Sequence, residues 1–148
     1  MPTIQKIKPY LWFDNQAAEA AQFYTSMFED SQIISTSPMM VEFQLAGQQF
    51  MALNGGPQFK FNESVSFFIT CDDQAEVDFF WESLIADGGS GGRCGWLKDK
   101  YGLSWQVIPK QLAELMSDKN REKANGVMQA MMQMNKIVVA DLEAAYQN

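Results

Sequence analysis

The side chains able to do chemistry in this sequence are few, and one type is missing: the 148 residues include no histidine. Without imidazole, acid–base work near neutral pH falls to carboxylates, lysines and tyrosines, and a serine or cysteine nucleophile must borrow one of these as its base. The densest such group is Lys98-Asp99-Lys100-Tyr101, which would offer Lys98, Asp99 and Tyr101 to an enzyme working by acid–base catalysis. Cys94 stands beside Arg93, either as a thiol with a nearby cation or as a structural cysteine next to an exposed arginine. Asp72 and Asp73 are the nearest pair of oxygens for a hard cation, which needs several more. Asp73 with Glu76 three residues on reads instead as a helix cap. No metal and no cofactor is expected.

A glycine-rich nucleotide loop follows a strand and opens a helix. Residues 88–92 do the reverse, and Cys94 stands where G-x-G-x-x-G needs its last glycine. They read as a flexible loop, possible extra strand included, and methyl transfer through such a loop is not expected.

The elements that must position these groups come in two copies. Asp14-Asn15-Gln16-Ala17 matches Asp72-Asp73-Gln74-Ala75, and after a gap at Ala18 the likeness runs on through Glu19 and Glu76, Phe23 and Phe80, Tyr24 and Trp81, and Phe28 and Ile85. Each stretch follows an apolar, strand-like run, residues 7–13 and 65–71, and carries an amphipathic helical pattern, residues 17–28 in the first copy and Val77, Phe80, Trp81 and Leu84 in the second. Further strands are predicted over residues 32–36, 41–45 and 48–53, with a tight Ala46-Gly47 turn, and over 94–98 and 103–108. The order is βαβββ followed by βαββ. One domain spans 1–148, with repeat units at about 4–54 and 64–109 and a helical tail over 110–148. In that tail Asp118 and Asn120 are candidate caps, and the methionines give either a helix pair packed on the sheet or a dimer face.

Strand alternation puts Tyr10 with Trp12, Ser66 with Phe68, and Ser104 with Gln106 on common sides, and Trp105 on the helix side as core. If those sides line a cleft, they make an aromatic pocket with a few hydroxyl and amide groups, the make-up of a small-molecule site; the alternative is plain core. Asn54 starts a break, Asn54-Gly55-Gly56-Pro57, leading to an arm Phe59-Lys60-Phe61, and Lys60, Lys98 and Lys100 are the cations for an anionic ligand.

Composition bounds the partners. Hydrophobic residues are 47% and charged residues 20%, which is globular rather than disordered. A net charge of −7 repels phosphate backbones and anionic lipid, so neither nucleic acid nor membrane is expected. No apolar run reaches the roughly 18 residues of a membrane span. Lys6 and Lys8 precede only the short Tyr10-Leu11-Trp12-Phe13, unlike a leader. Cys71 and Cys94 read as small buried apolar residues of a cytoplasmic protein.

Several segments carry a family resemblance: Pro9-Tyr10-Leu11-Trp12-Phe13-Asp14, Ala20-Ala21-Gln22-Phe23-Tyr24, Met51-Ala52-Leu53-Asn54-Gly55-Gly56, Phe59-Lys60-Phe61-Asn62-Glu63, and the run from Cys94 through Trp96, Tyr101 and Trp105 to Gln106. Together they resemble the PhnB-like branch of the vicinal-oxygen-chelate superfamily, often described as a 3-demethylubiquinone-9 3-methyltransferase domain. The tail pattern Val127-Met128-Gln129-Ala130-Met131-Met132 with Asn135-Lys136-Ile137 is similar too, so the resemblance spans nearly the whole chain. It implies an α+β fold of paired βαβββ units forming curved, cupped mixed sheets, as in glyoxalase and bleomycin resistance proteins, with C-terminal helices. It also implies a homodimer.

In metal-using members each half supplies a ligand from its first strand and a Glu from its last. Carried over, those places fall on Gln106 and Met51, and on Ser66 and Lys8, or on Val65 and Ile7 one residue off. These are not a usual divalent-metal set. The expected function is therefore metal-independent binding of a small organic molecule, with an enzyme using Lys98, Asp99 or Tyr101 as the alternative.

Overall fold

The structure, a computed structural model, describes residues 4–148. Its backbone divides into two compact units, Met1–Lys60 and Phe61–Asn148.

The first unit runs β1 (Tyr10–Phe13), α1 (Ala17–Thr25), β2 (Gln32–Thr36), β3 (Met40–Leu45) and β4 (Gln48–Asn54). The sheet order is β1-β4-β3-β2, with β1 parallel to β4 and the other pairs antiparallel. Burial follows the two-residue period of the strands. Leu11, Phe13, Val41, Phe43, Leu45, Phe50 and Ala52 are buried, as are Ala17, Ala20, Ala21 and Tyr24 of α1. Three alanines on the buried side of α1 let its backbone approach closely. The β3–β4 hairpin turns at Ala46 and Gly47, both left-handed (φ 48° and 80°), the combination that matches the strand twist in a two-residue hairpin.

Both predicted ends were too long. Ile7 is exposed and unpaired with β4, so β1 begins only at Tyr10. The helix stops at Thr25, where Thr25 Oγ1 donates to the Ala21 carbonyl (2.8 Å) and Ser26 Oγ to that of Phe23 (2.6 Å).

The second unit repeats the plan with β5 (Ser66–Cys71), α2 (Gln74–Ile85), β6 (Ser90–Gly91), β7 (Trp96–Lys98) and β8 (Ser104–Pro109), ordered β5-β8-β7-β6 with β5 parallel to β8. The short β6 makes this a second complete βαβββ unit. Asp73 caps α2 by accepting from Glu76 N (3.0 Å), while the Glu76 carboxylate accepts from Asp72 N (2.7 Å), one residue before the cap. Val77, Phe80, Trp81 and Leu84 are the buried stripe.

The glycine-rich stretch is built into this packing rather than being a flexible loop. A Cβ on Gly89 would sit 2.6 Å from the Leu84 carbonyl and 2.8 Å from that of Lys98, and one on Gly91 2.6 Å from the Trp81 ring. Glycine is required there because α2 and the sheet approach so closely.

The tail forms three helices, one more than a pair: α3 (Lys110–Met116), α4 (Arg121–Met132) and α5 (Val139–Gln147). They close over Leu112, Val127, Ile137 and Leu142, with Ile108 of β8 joining this cluster. Asn120 caps α4 through Lys123 N (3.2 Å), and Asp118 accepts from Asn120 N (2.8 Å) and from the Tyr146 hydroxyl (2.7 Å). Polar bonds tie the tail to its unit. Gln74 donates to Ile137 O (3.0 Å) and accepts from Val139 N (2.7 Å), Cys94 N donates to Met134 O (2.8 Å), and Lys136 pairs with Asp78 (2.9 Å). Met131 and Met134 are partly buried against the cluster and Met132 is exposed, so the methionines divide between core and surface.

Candidate functional site

Each sheet keeps one face against its helix and leaves the other uncovered by it. In the second unit the register fixes what that open face displays. Ser66 pairs with Ser104 and Ser104 with Lys98, making one rung; Phe68 pairs with Gln106 and Gln106 with Trp96, making the next. Directly opposed residues share a face, so these six side chains stand together. Phe67, Trp105 and Leu97 form the rung on the helix side, and Trp105 is buried as expected. Gln106 Nε2 donates to Ser66 Oγ (3.0 Å). Phe68 is 59% exposed beside it. Ser104 is buried, and its Oγ has no hydrogen-bond partner.

Lys98 is half exposed and forms an ion pair with Glu63, on the segment entering β5. The ammonium, by hydrogen bond and by charge, holds the Glu63 carboxyl below its ordinary value.

Trp96 and Glu63 belong to this constellation, and reading the sequence missed both. Trp96 carried a signal, since it is two residues before Lys98 on one strand. Glu63 carried none, because its partner lies far along the chain.

The first unit's open face carries Tyr10 beside Met51 and Trp12 beside Leu53. Tyr10 is about half exposed. Trp12 is held by its own strap: its indole donates to Gly56 O (3.0 Å), Phe59 packs edge-on at 5.0 Å between ring centroids, and Gly55 lies so close that a Cβ would fall 2.3 Å from the ring. Lys60 is exposed at the end of this strap.

Asn54 does not join these residues. It pairs with Phe13, on the helix side, where its Oδ1 accepts from Ala17 N at the start of α1 (2.9 Å) and its Nδ2 donates to Pro38 O (3.1 Å). Asp99 also lies elsewhere. It is buried, with Oδ1 accepting from Tyr101 N (2.8 Å) and Leu103 N (3.1 Å) and Oδ2 accepting from the Trp105 indole (2.9 Å), so it shapes the β7–β8 turn. Among the cysteines, Cys71 is buried, with its thiol pushed up to about 12 by desolvation and by the nearby Glu76, Asp72 and Asp73 carboxylates. Cys94 is only partly buried, on a left-handed backbone (φ 59°), and both thiols are free.

Comparisons with known proteins bear on the family and the fold. The model of the family described as 3-demethylubiquinone-9 3-methyltransferase matches residues 5–108. The chain belongs to that family. A Bacillus cereus protein described as a 3-demethylubiquinone-9 3-methyltransferase, PhnB protein, is 32% identical over 71% of this chain and 99% of its own, with a TM-score of 0.66. A Pseudomonas aeruginosa protein shares the fold at 20% identity and a TM-score of 0.59, over 72% of this chain and 98% of its own. A glyoxalase-related enzyme from Fulvimarina pelagi does so at 12% and 0.50, over 73% and 91%. No curated protein matches the sequence. The two βαβββ units are thus those of the vicinal-oxygen-chelate fold, and the C-terminal helices follow them. The family match ends at Ile108, so it does not extend to the resemblance read in the tail.

Within this family frame the ladders decide the residue correspondence. Tyr10–Met51 in one sheet and Phe68–Gln106 in the other are equivalent rungs. Ser66, not Val65, shares the face of Gln106. At these places the second half has an amide bonded to a hydroxyl, Gln106 to Ser66, and the equivalent of Gln106 in the first half is Met51. Among the described residues no three of Asp, Glu, Cys or His gather to hold an ion. The residues present do not fit a divalent metal.

Proposed function

We propose that the protein binds a small organic molecule on the open face of the second sheet, without a metal, and that it works as a homodimer in the cytoplasm. The observation that carries this reading is the Gln106–Ser66 hydrogen bond standing between the exposed Phe68 and the half-buried Trp96. An amide and a hydroxyl fix orientation while flat apolar side chains supply area, the combination small-molecule sites use. Two free thiols suit a reducing compartment. A second copy of the chain would close the open faces, as the dimer expected of the family would; gel filtration at micromolar concentration should give twice the 16.8 kDa mass, and a monomer there would remove this part.

The test of binding is the melting temperature against planar aromatic metabolites and against Mn²⁺, Ni²⁺ and Zn²⁺. An organic ligand at a hundred times its Kd adds about 2.7 kcal/mol, several degrees for a domain of this size. The expected result is a shift with an aromatic compound, reduced by Phe68→Ala, and none with the metals. A metal shift that Gln106→Ala abolishes would overturn the reading.

A further inference from the structure

On the open face of the second sheet, read as above as a ligand site, polar and apolar groups are segregated. One rung, Ser66, Ser104 and Lys98, is polar, and the next, Phe68, Gln106 and Trp96, carries two aromatic rings. Two residues along a strand separate the rungs, about 7 Å. On the polar rung two groups lack an adequate partner from the sheet. Ser104 Oγ is buried with no hydrogen bond, an arrangement that native proteins rarely leave unmet. Lys98 Nζ is met by Glu63, whose carboxylate is carried on the connecting segment rather than the sheet. The side chains are 44% and 62% exposed, and ion pairs that open to water are held weakly and exchange readily.

We propose that the Glu63 carboxylate occupies the place of a ligand's carboxylate: an aromatic carboxylate displaces Glu63 from Lys98 Nζ, accepts a hydrogen bond from Ser104 Oγ, and lays its ring against Phe68 and Trp96. A carboxylate suits both groups because it only accepts and has two oxygens, one for the ammonium and one for the hydroxyl of the adjacent strand. The spacing of the rungs asks for a short spacer between carboxylate and ring, as in 3-phenylpropanoate. With the face empty, Glu63 keeps Lys98 neutralised, and it competes with any neutral or anionic ligand unequally, opposing only the anion.

Binding of 3-phenylpropanoate and of its uncharged amide is measured by calorimetry on the full chain, for the wild type, Glu63→Gln and Lys98→Met, each checked for an unchanged fold by circular dichroism. Removing the competing carboxylate should tighten the acid about two- to five-fold and leave the amide unchanged, and Lys98→Met should weaken the acid at least ten-fold. An acid affinity that is unchanged or lower in Glu63→Gln, or an amide that gains as much, overturns the proposal while leaving the aromatic site in place. If neither compound binds the wild type at millimolar concentration, the proposal is overturned and the ligand-site reading loses its support on this face as well.

Discussion

Asn54 and Asp99 are polar residues of the kinds that bind ligands and move protons, yet both spend their side chains on the backbone. Asn54 reaches from the end of β4 to satisfy a free N–H at the start of α1, where the residue at the cap position itself makes no side-chain bond. The Asp99 side chain accepts three bonds in a buried place, where a donor left without its acceptor is costly. Replacing Asp99 by alanine leaves the Trp105 indole and two backbone donors unmet; denaturant unfolding should show a loss of about 3 kcal/mol or more, with Asp99→Asn losing less. The two thiols should separate equally clearly. Cys71 is buried and, at about 12, almost wholly protonated, so a thiol reagent at pH 8 should leave it untouched until the chain unfolds, while Cys94 is the accessible one. Rapid labelling of both in the native protein, read by mass spectrometry, would contradict that placement.

At the scale of elements, the two βαβββ units use the same ladder order for different ends. The first folds a strap from Gly55 to Phe59 over its own Trp12, whereas the second leaves Phe68 open and packs its three tail helices around Ile108, two residues along β8 from Gln106. Gln74 is the joint between α2 and the last helix, meeting both Ile137 O and Val139 N. Gln74→Ala should cost about 1–3 kcal/mol, since it strips partners from two backbone groups at once. Hydrogen exchange should then speed up in α5 more than in β5–β8, because the sheet keeps its own bonds. Equal acceleration in both would mean the tail and sheet open as one unit.

For the whole molecule, the acidic surface makes pH the natural variable. Lys98 lowers the Glu63 carboxyl, Lys136 and Gln74 lower that of Asp78, and the Tyr146 hydroxyl lowers that of Asp118, which in turn raises Tyr146. A carboxyl lowered in the folded state adds stability that is present above its unfolded value, near 4, and is lost as pH falls through the folded value. The raised Tyr146 works in the other direction: its contribution is present below about 10 and is lost as pH climbs through the folded value. The melting temperature should therefore hold between roughly pH 5 and 9 and fall outside that range on both sides. Asp118→Asn should flatten the acid side, and the full acid slope persisting in that variant would show that the tail carboxylate takes no part.

The sequence by itself determined the repeated strand–helix–strand plan, the strand faces and the capped start of α2, because these depend on residues two to four places apart, within reach of periodicity and local hydrogen bonds. It showed that Ser66, Phe68, Ser104 and Gln106 share a side of their strands. It could not show that Gln106 bonds Ser66, that Lys98 meets Glu63, or that Trp96 completes the aromatic rung, since each depends on which strands become neighbours and in what register. The bonds of Asn54 and Asp99 were hidden for the same reason, as their partners are fixed by a helix start and a buried indole that only the packed chain brings near. Local pattern decides which elements form and which way they face, and long-range pairing decides which side chains remain available for a ligand.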